Sequence, residues 1–454
     1  MDPPSPARLP PVDSAGGGPS RRPPAGAVIA AVVLLAAVAM LAAALAGVPP
    51  FASVVATPSP SPSATATARA SPLPTASPSP PSAADVLEIL ARIERRMVQI
   101  RELSAGQPLT PKLVTSAEAS RLLVGDFRAE NPTDVLVDQT QLYRALGLLG
   151  PSEDLAAVFE RFLSTQVLGF YRSTDRSLYV VSDAAFGPLQ ELTAAHEYTH
   201  ALQDAHFGLE RLRPPGHDQG DLALARLALI EGDATLAMSQ WAIEDLTPEE
   251  LSQLFEQIQD PIAEQALAEA PPIVRQTQTF PYANGLQFVQ QAWLEDGWGA
   301  VDRLWEKPPS TAEQILHPEK YEVGEEAIAI ALADTLAAAL GAGWRLALAD
   351  THGELVTRIW LEQALDPAAA AQAAAGWGGD RVGFYRGPNG AWALAWVTRW
   401  DSAADAGEFA AGARSAAGDL GDPSTVRGNG SEVTIVVASD SAVLDGVVAV
   451  LPEP

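Results

Sequence analysis

His196-Glu-Tyr-Thr-His200 stands within residues 189–207, a run that contains neither Gly nor Pro. Such a run predicts a helix, and Gly208 is well placed to end it. On a helix the two histidines lie one turn apart on the same face, about 5–6 Å apart at Cβ, so both imidazoles can reach one Zn²⁺ at roughly 2.0–2.1 Å. Glu197 points toward the same side but is too far round the helix to be a good third ligand. It is instead placed to take a proton from a metal-bound water.

The residues before this motif predict a place for an extended peptide. Residues 168–182 read as two short strands joined by a polar turn, leading into the predicted helix. A strand at the edge of a sheet can pair with a peptide, and we expect Leu178-Tyr179-Val180 to be that edge. The alternative for the whole region is an ordinary amphipathic helix, whose histidines are surface or core groups.

A third zinc ligand is needed, because catalytic zinc sites usually have three protein ligands and a water. Glu231 is the first candidate. It lies in a nearly continuous apolar segment, residues 222–238, where an ionised carboxylate is costly to bury unless it is paired or binds a metal. The alternative for Glu231 is a salt bridge with Arg226. Asp233, in the same segment, is predicted to hold the N–H of a zinc-binding histidine.

His206 is the alternative third ligand. It has the position of the third histidine in the motif H-E-x-x-H-x-x-G-x-x-H, but Gln203 replaces the glycine that lets the chain turn back toward the metal. If the helix continues through Gln203, His206 lies about 9 Å beyond His200 along the axis and faces another direction. The sequence favours Glu231 and leaves both candidates open.

These motifs resemble a known group of enzymes. His-Glu-x-x-His, followed by Glu231-Gly-Asp-Ala234, resembles the gluzincin branch of the zinc metallopeptidases. The longer string His196-Glu-Tyr-Thr-His-Ala-Leu-Gln-Asp-Ala-His-Phe207 is similar to a group of largely uncharacterised, membrane-anchored bacterial proteins assigned as peptidases. Segments 280–288, 311–321 and 376–381 are similar as well, so the resemblance covers most of the chain beyond about residue 85. It implies a zincin-like fold with Glu197 as the base and three Zn²⁺ ligands, His196, His200 and Glu231.

Two further side chains in these segments are candidates for stabilising a transition state. Tyr282 and His317 could each donate a hydrogen bond to the oxygen that gains negative charge during hydrolysis. The alternatives are ordinary packing for Tyr282 and a helix-end cap for His317.

Composition excludes several other functions. The formal net charge is −27, so the chain offers no basic patch for nucleic acid or for docking on anionic lipid. It contains no cysteine, which excludes thiol catalysis, disulfides and thiolate metal sites. There is no Gly-x-Ser-x-Gly motif and no phosphate-binding glycine loop. A hydrophobic content of 47% in 454 residues supports a large core and two or three domains.

The N-terminus predicts export. Residues 25–48 carry no charged or strongly polar group, and this length spans a hydrocarbon core of about 30 Å. Because two arginines precede the segment, we expect residues 1–24 to be a cytoplasmic tail and residues 25–48 a single-pass transmembrane anchor. The alternative is secretion after cleavage of a signal peptide near Ala46. In both cases the remainder is extracytoplasmic and begins with a Pro/Ser/Thr-rich linker over residues 49–84.

The remaining residues predict an α+β protein with two folded domains. Residues 85–340 are dominated by helical patterns around the strand pair, and the resemblance identifies them as a zincin-like peptidase domain. Residues 341–454 predict a small α+β domain, with strands at 382–385 and 391–399 around a turn at 388–390, a helix at 403–420 and a strand at 432–438.

Together these features predict a membrane-anchored, extracytoplasmic zinc-dependent peptidase that acts on peptides or proteins. The alternative is a non-catalytic exported binding or sensor module that keeps a zinc-binding peptidase fold. Retention of both histidines and Glu197 favours the enzyme, because a module without catalysis has no chemical need for that set.

Overall fold

The computed structural model describes residues 82–104, 106–165, 167–182, 186–258, 268–332 and 334–451. The predicted cytoplasmic tail, the anchor at 25–48 and nearly all of the predicted linker lie outside these residues. Within them, no helix combines the length and the apolar character that crossing a membrane requires. The prediction of a transmembrane helix therefore finds no support among the described residues.

Helices form most of the chain before the second sheet. They are α1 (Ala83–Arg101), α2 (Ser116–Glu130), α3 (Thr133–Ala145), α4 (Leu155–Thr165), α5 (Pro188–Phe207), α6 (Gly220–Asp245), α7 (Pro248–Ile258), α8 (Pro272–Glu306), α9 (Ala312–Leu316), α10 (Pro318–Val323) and α11 (Asp334–Leu340). Helix α6 packs against both α5 and α8, and α1 packs across α5 and α6. The apolar sequence of α6 follows from this central position, since a helix that is covered on all sides has no polar face.

Helix α5 carries the histidine motif and begins and ends where its sequence dictates. Pro188 occupies the first turn, where the missing N–H of proline has no helical partner to lose. Gly208 follows the helix with φ 75°, in the region that favours glycine, and its N–H donates to the carbonyl of Asp204. The helix predicted over residues 189–207 is therefore confirmed, and it continues through Gln203 without a break.

Helices α6 and α8 approach each other backbone to backbone. A Cβ on Gly232 would overlap the carbonyl of Gly285, and a Cβ on Gly285 would overlap the carbonyl of Ala228. Tyr282 precedes Gly285 by three residues, which places it on the same side of α8. The glycine contact therefore also brings Tyr282 close to α6.

The strand pair before α5 belongs to a three-stranded sheet with the order β1-β3-β2. Strands β2 (Gly169–Arg172) and β3 (Ser177–Val181) are antiparallel, as predicted, and β1 (Lys112–Val114) pairs with β3 in parallel. Strand β3 is therefore central, with both sides paired. The prediction that Leu178-Tyr179-Val180 is a free edge for a peptide is wrong, because β1 arrives from far upstream and covers it.

The second sheet lies in the C-terminal part and is antiparallel throughout. Its strands are β4 (Arg345–Asp350), β5 (Trp377–Arg386), β6 (Trp392–Trp400), β7 (Ser424–Asn429) and β8 (Glu432–Ala438), in the order β4-β5-β6-β8-β7. Its helices are α12 (Gly353–Leu361), α13 (Pro367–Ala374), α14 (Ala403–Gly418) and α15 (Ser441–Val450). The predicted strands and helix of this part are confirmed as β5, β6, β8 and α14, whereas β4 and β7 do not follow from the sequence pattern.

The carboxylate of Asp380, in β5, ties this sheet to the connection before α12. It accepts hydrogen bonds from the backbone N–H groups of His352 and Gly353 and from the indoles of Trp377 and Trp396. Because four donors satisfy both of its oxygens, this buried carboxylate has a structural role.

Contacts join the two parts of the chain. Arg381 pairs with Asp218 at 2.9 Å. The N–H of Ile328, upstream of the domain boundary predicted after residue 340, donates to the carbonyl of Gly378 at 2.7 Å. The α+β class predicted from the sequence is confirmed, while the zincin-like assignment and the domain boundary stay predictions.

Candidate metal centre

Four side chains of α5 and α6 meet in the interior. His196, Glu197 and His200 lie in the middle of α5, and Glu231 lies in the middle of α6, where the two helices pack. Each of the four is at most 1% exposed.

Atoms of His196, His200 and Glu231 converge on one point. His196 Nε2 lies 3.0 Å from Glu231 Oε2 and 3.0 Å from His200 Nε2. His200 Nε2 lies 3.6 Å from Glu231 Oε2. Tetrahedral zinc ligands with bonds of about 2.0–2.1 Å are about 3.3 Å apart, so this triangle resembles one face of such a set.

Gln203 determines which nitrogen of His200 carries a proton. Its Nε2 donates to the carbonyl of Ile230 at 3.0 Å, a group that can only accept. Its Oε1 therefore faces His200 Nδ1, at 2.9 Å, and requires the proton on that nitrogen. In neutral His200 the lone pair of Nε2 is then directed toward Glu231 and His196, as a metal ligand requires.

The charges of the cluster fit a cation. Burial alone would raise the pKa of Glu231, but the two imidazoles lower it to about 2. Burial also acts against a charged His200, but Glu231 outweighs it and raises the pKa of His200 to about 9. Burial and the neighbouring His200 lower the pKa of His196. The carboxylate of Glu231 therefore favours a positive charge at the point where the three groups converge.

Glu197 has one oxygen that is held and one that is free. Oε2 accepts a hydrogen bond from the backbone N–H of Tyr171, in β2, at 2.7 Å. Oε1 is buried and has no hydrogen-bond partner in the part of the chain that the structure describes. Burial raises the pKa of Glu197 to about 8, against the lowering effect of His200. A carboxyl group with these properties can exchange a proton near neutral pH.

The ring of Tyr282 covers His196. The two ring centroids are 6.0 Å apart, and Tyr282 is 4% exposed. Burial, followed by the negative charges of Glu231 and Glu197, raises the pKa of Tyr282 well above its ordinary value, and its hydroxyl bonds to Glu231. The hydroxyl therefore keeps its proton and remains a hydrogen-bond donor beside the cluster.

The two other predicted histidines lie elsewhere. His206 is exposed on the last turn of α5, where its ring meets Phe207 edge-on. His317 lies between α9 and α10, and the hydrogen bond of its Nε2 to Glu354, at 3.0 Å, raises its pKa. Among the described residues, neither histidine joins the metal-binding group. This geometry does not support His206 as a zinc ligand or His317 as a transition-state donor.

Arg226 and Asp233, two residues near Glu231 in the sequence, do not make the contacts that the sequence predicts for them. Arg226 donates to a backbone carbonyl of the preceding segment and does not pair with Glu231. Asp233 binds Arg101 and Trp305 and does not hold a histidine. The prediction for Asp233 is wrong because a residue two positions from Glu231 faces a different side of α6.

A second group of carboxylates is spaced closely enough for a cation, namely Glu313, Glu325 and Asp401. These three already surround the ammonium of Lys320, whose Nζ lies 2.6, 2.8 and 2.7 Å from them. The lysine supplies the positive charge, so this group is an ion-pair network.

Sequence reasoning misses Gln203 and Tyr171 as partners of the cluster. In the sequence, Gln203 is notable only because it replaces the glycine of the longer histidine motif. Its position three residues after His200, on the same helix face, is the signal that could have identified it. Tyr171 contributes a backbone N–H, which no side-chain pattern reveals.

Comparison with known families gives a match in the C-terminal part of the chain only. A family model described as a domain of unknown function (DUF8575) matches residues 316–448, which include the second sheet. The candidate metal centre lies outside this match. No curated protein and no solved structure matches the chain. The comparisons name no activity, and the resemblance of the motifs to gluzincins stays a prediction.

Proposed function

We propose that the chain is a zinc-dependent peptidase in which His196, His200 and Glu231 bind the metal and Glu197 is the general base. One observation carries the proposal. Three ligand atoms converge in the interior, and Glu197, whose carboxylate interacts electrostatically with His200 and Glu231, has a buried oxygen without a partner in the described chain. Two histidines and a glutamate are the donor set of thermolysin-like zinc enzymes.

The residues divide the reaction between them. His196, His200 and Glu231 would hold a Zn²⁺ ion, which when bound would supply Lewis-acid chemistry to the scissile carbonyl and to a water. Glu197 takes the proton from the attacking water through Oε1 and passes it to the nitrogen of the leaving amine. The N–H of Tyr171 holds the other oxygen of Glu197 in place. The hydroxyl of Tyr282 donates to the oxygen that gains negative charge.

Burial of the cluster favours a second candidate function. The side chains of the cluster and Tyr282 are at most 4% exposed, so a peptide cannot reach Glu197 in this conformation. A non-catalytic binding or sensor module, in which the metal holds α5 and α6 together, would need no such access. The peptidase requires the site to open.

Metal analysis and peptide hydrolysis test the proposal. The purified full chain is expected to bind about one zinc ion, and the double variant His196→Ala/His200→Ala to bind none. Glu197→Gln should keep the zinc and slow the hydrolysis of a peptide library by about 10²–10⁴-fold, because an amide cannot accept the proton. Glu191→Gln is the matched control on the same helix. Its carboxylate pairs with exposed Arg92, so both readouts should stay unchanged.

The outcomes separate the two functions. Full zinc occupancy in the double histidine variant would contradict the metal site. Zinc binding by the wild type without any cleavage that depends on Glu197 would make the binding module the better assignment.

A further inference from the structure

A second concave site lies along α6 from the metal centre. It is a cavity of about 240 Å³ between α3, the start of α6 and the connection from β4 to α12. Its polar wall includes Tyr143, Asp350 and His352, and its apolar wall includes Leu224, Leu227 and Val356. The volume is somewhat below the roughly 300–1,000 Å³ of sites for drug-sized ligands, so it suits a group the size of one side chain.

His352 belongs to the wall of this cavity, and its side chain has two buried polar atoms without partners among the described residues. The side chain is 2% exposed, and neither ring nitrogen has a hydrogen-bond partner among the described residues. Its ring packs edge-on against Trp396 and lies 6.3 Å from the ring of Tyr143. Burial lowers the pKa of His352 to about 3, so the ring is neutral and offers one donor and one acceptor. Since buried polar atoms usually have partners, we infer that a ligand supplies them.

Asp350 gives the cavity its one acidic side chain among the described lining residues. Its Oδ1 accepts hydrogen bonds from the N–H groups of Gly220, at 2.7 Å, and Thr351, at 2.8 Å. Both bonds use the same oxygen, which leaves Oδ2 available to a ligand. Gly220 keeps the approach to this oxygen open, because a Cβ there would lie 2.9 Å from Oδ2. A bound cation would favour the ionised form of this carboxyl group.

We propose that this cavity binds an alkylammonium group, carried by a free small amine or by the side chain of a lysine. The ammonium donates to Asp350 and to the acceptor nitrogen of His352, and the ring of Tyr143 offers a further contact for a cation. The alkyl chain packs against the apolar wall. Such binding requires no metal ion.

Titration of the full chain with n-butylamine, followed by NMR, tests the proposal. We expect saturable binding of n-butylamine and at least about tenfold weaker binding of the uncharged n-butanol. Asp350→Asn can keep both backbone hydrogen bonds through its amide oxygen, and it should weaken n-butylamine binding by about tenfold or more. Asp422→Asn is the matched control, because Asp422 is exposed and lies outside the cavity wall.

Variants that fill the cavity provide a second test. Leu224→Trp should abolish n-butylamine binding, and Ala223→Leu, a smaller change on the same wall, should weaken it. Circular dichroism checks that each variant is folded. The proposal is overturned if the wild type shows no saturable binding, or if Asp350→Asn and Ala223→Leu bind n-butylamine as the wild type does.

Two peptides distinguish the sources of the ammonium. A pentapeptide with a central lysine is compared with its norleucine analogue. A preference for lysine that Asp350→Asn removes assigns the cavity to a side chain, and n-butylamine binding without this preference assigns it to a free amine. The double variant His196→Ala/His200→Ala should bind n-butylamine normally, so failure of this proposal is separable from failure of the metal centre.

Discussion

Glu231 and Asp233, two buried carboxylates on α6, have opposite surroundings. Asp233 accepts hydrogen bonds from Arg101 Nε at 2.7 Å, from Arg101 Nη2 at 3.0 Å and from Trp305 Nε1 at 2.7 Å. Glu231 faces two imidazoles, whose charge depends on a proton or a metal ion. The two residues lie about 200° apart round the helix and so belong to different sides of α6.

This difference shows how a buried carboxylate reveals its role. A guanidinium keeps its proton under all ordinary conditions, so the chain itself has neutralised Asp233 permanently. Around Glu231 the chain gathers acceptor atoms and supplies no permanent cation. An added ion can therefore bind on the side of Glu231 but not on the side of Asp233.

The largest effect on stability should come from breaking the neutralised pair. Asp233→Asn leaves the fully buried Arg101 without its main counter-charge, and we expect the free energy of unfolding to fall by about 3–5 kcal/mol. Asp302→Asn is the matched control, since Asp302 binds the same guanidinium at 2.7 Å but is 37% exposed. It should cost less than about 1 kcal/mol. Urea denaturation measures both losses, and equal losses would remove the distinction between buried and exposed partners.

Glu231→Gln should act on metal affinity. In competition with a chelator, the affinity for zinc should fall by more than about 100-fold, beyond the roughly 10–100-fold that the loss of an outer partner costs. The folded fraction of Asp233→Asn should bind zinc as the wild type does. If both variants lost zinc equally, the two sides of α6 would not be independent.

Asp350 is a buried carboxyl group that has hydrogen bonds to only one of its oxygens and, unlike Asp233, no guanidinium partner. We therefore expect its ionisation to make the stability of the protein depend on pH. Burial raises its pKa from 3.8 to about 7, so folding favours the protonated form. The resulting stabilisation is complete below about pH 4 and is lost as the pH rises toward about 7. Relative to Asp350→Asn, which cannot ionise, the wild type should lose about 4 kcal/mol of unfolding free energy over this range. Parallel pH profiles for the two proteins would contradict this account.

The smallest effect concerns the orientation of a ligand. Gln203→Leu removes the acceptor that fixes the proton of His200 on Nδ1, and zinc affinity should fall by about tenfold. His206→Ala, on the same helix but outside the cluster, should leave the affinity unchanged. A loss of zinc with His206→Ala and none with Gln203→Leu would mean that the chain turns back to the metal after His200.

The sequence predicts those parts of the site that depend on one helix at a time. The four-residue spacing of His196 and His200 determines a shared face, and a carboxylate in an apolar segment draws attention to Glu231. The same helical geometry places Asp233 on another side of α6, so that prediction was wrong for a reason visible in the sequence.

The rest depends on contacts between distant segments. Strand β1 has three residues, and nothing in them indicates that Lys112 pairs with Tyr179 and converts β3 from an edge into a central strand. The carbonyl of Ile230 orients Gln203 only because α5 and α6 pack together. His352 lies in the connection from β4 to α12, and its burial follows from the way Asp380, from another strand, binds the backbone beside it.

The glycine contact between α6 and α8 has a consequence for mutational tolerance. Gly232 follows Glu231, and Gly285 lies three residues after Tyr282, so even an added methyl group at either glycine would force the helices apart. Tyr282 would then move away from Glu231. In a saturation mutagenesis scan that scores metal retention, both glycines should accept as few replacements as the histidines do, although neither has a side chain. The short distance between α6 and α8 is therefore a structural requirement of the site. A redesign of the metal centre has to preserve this distance.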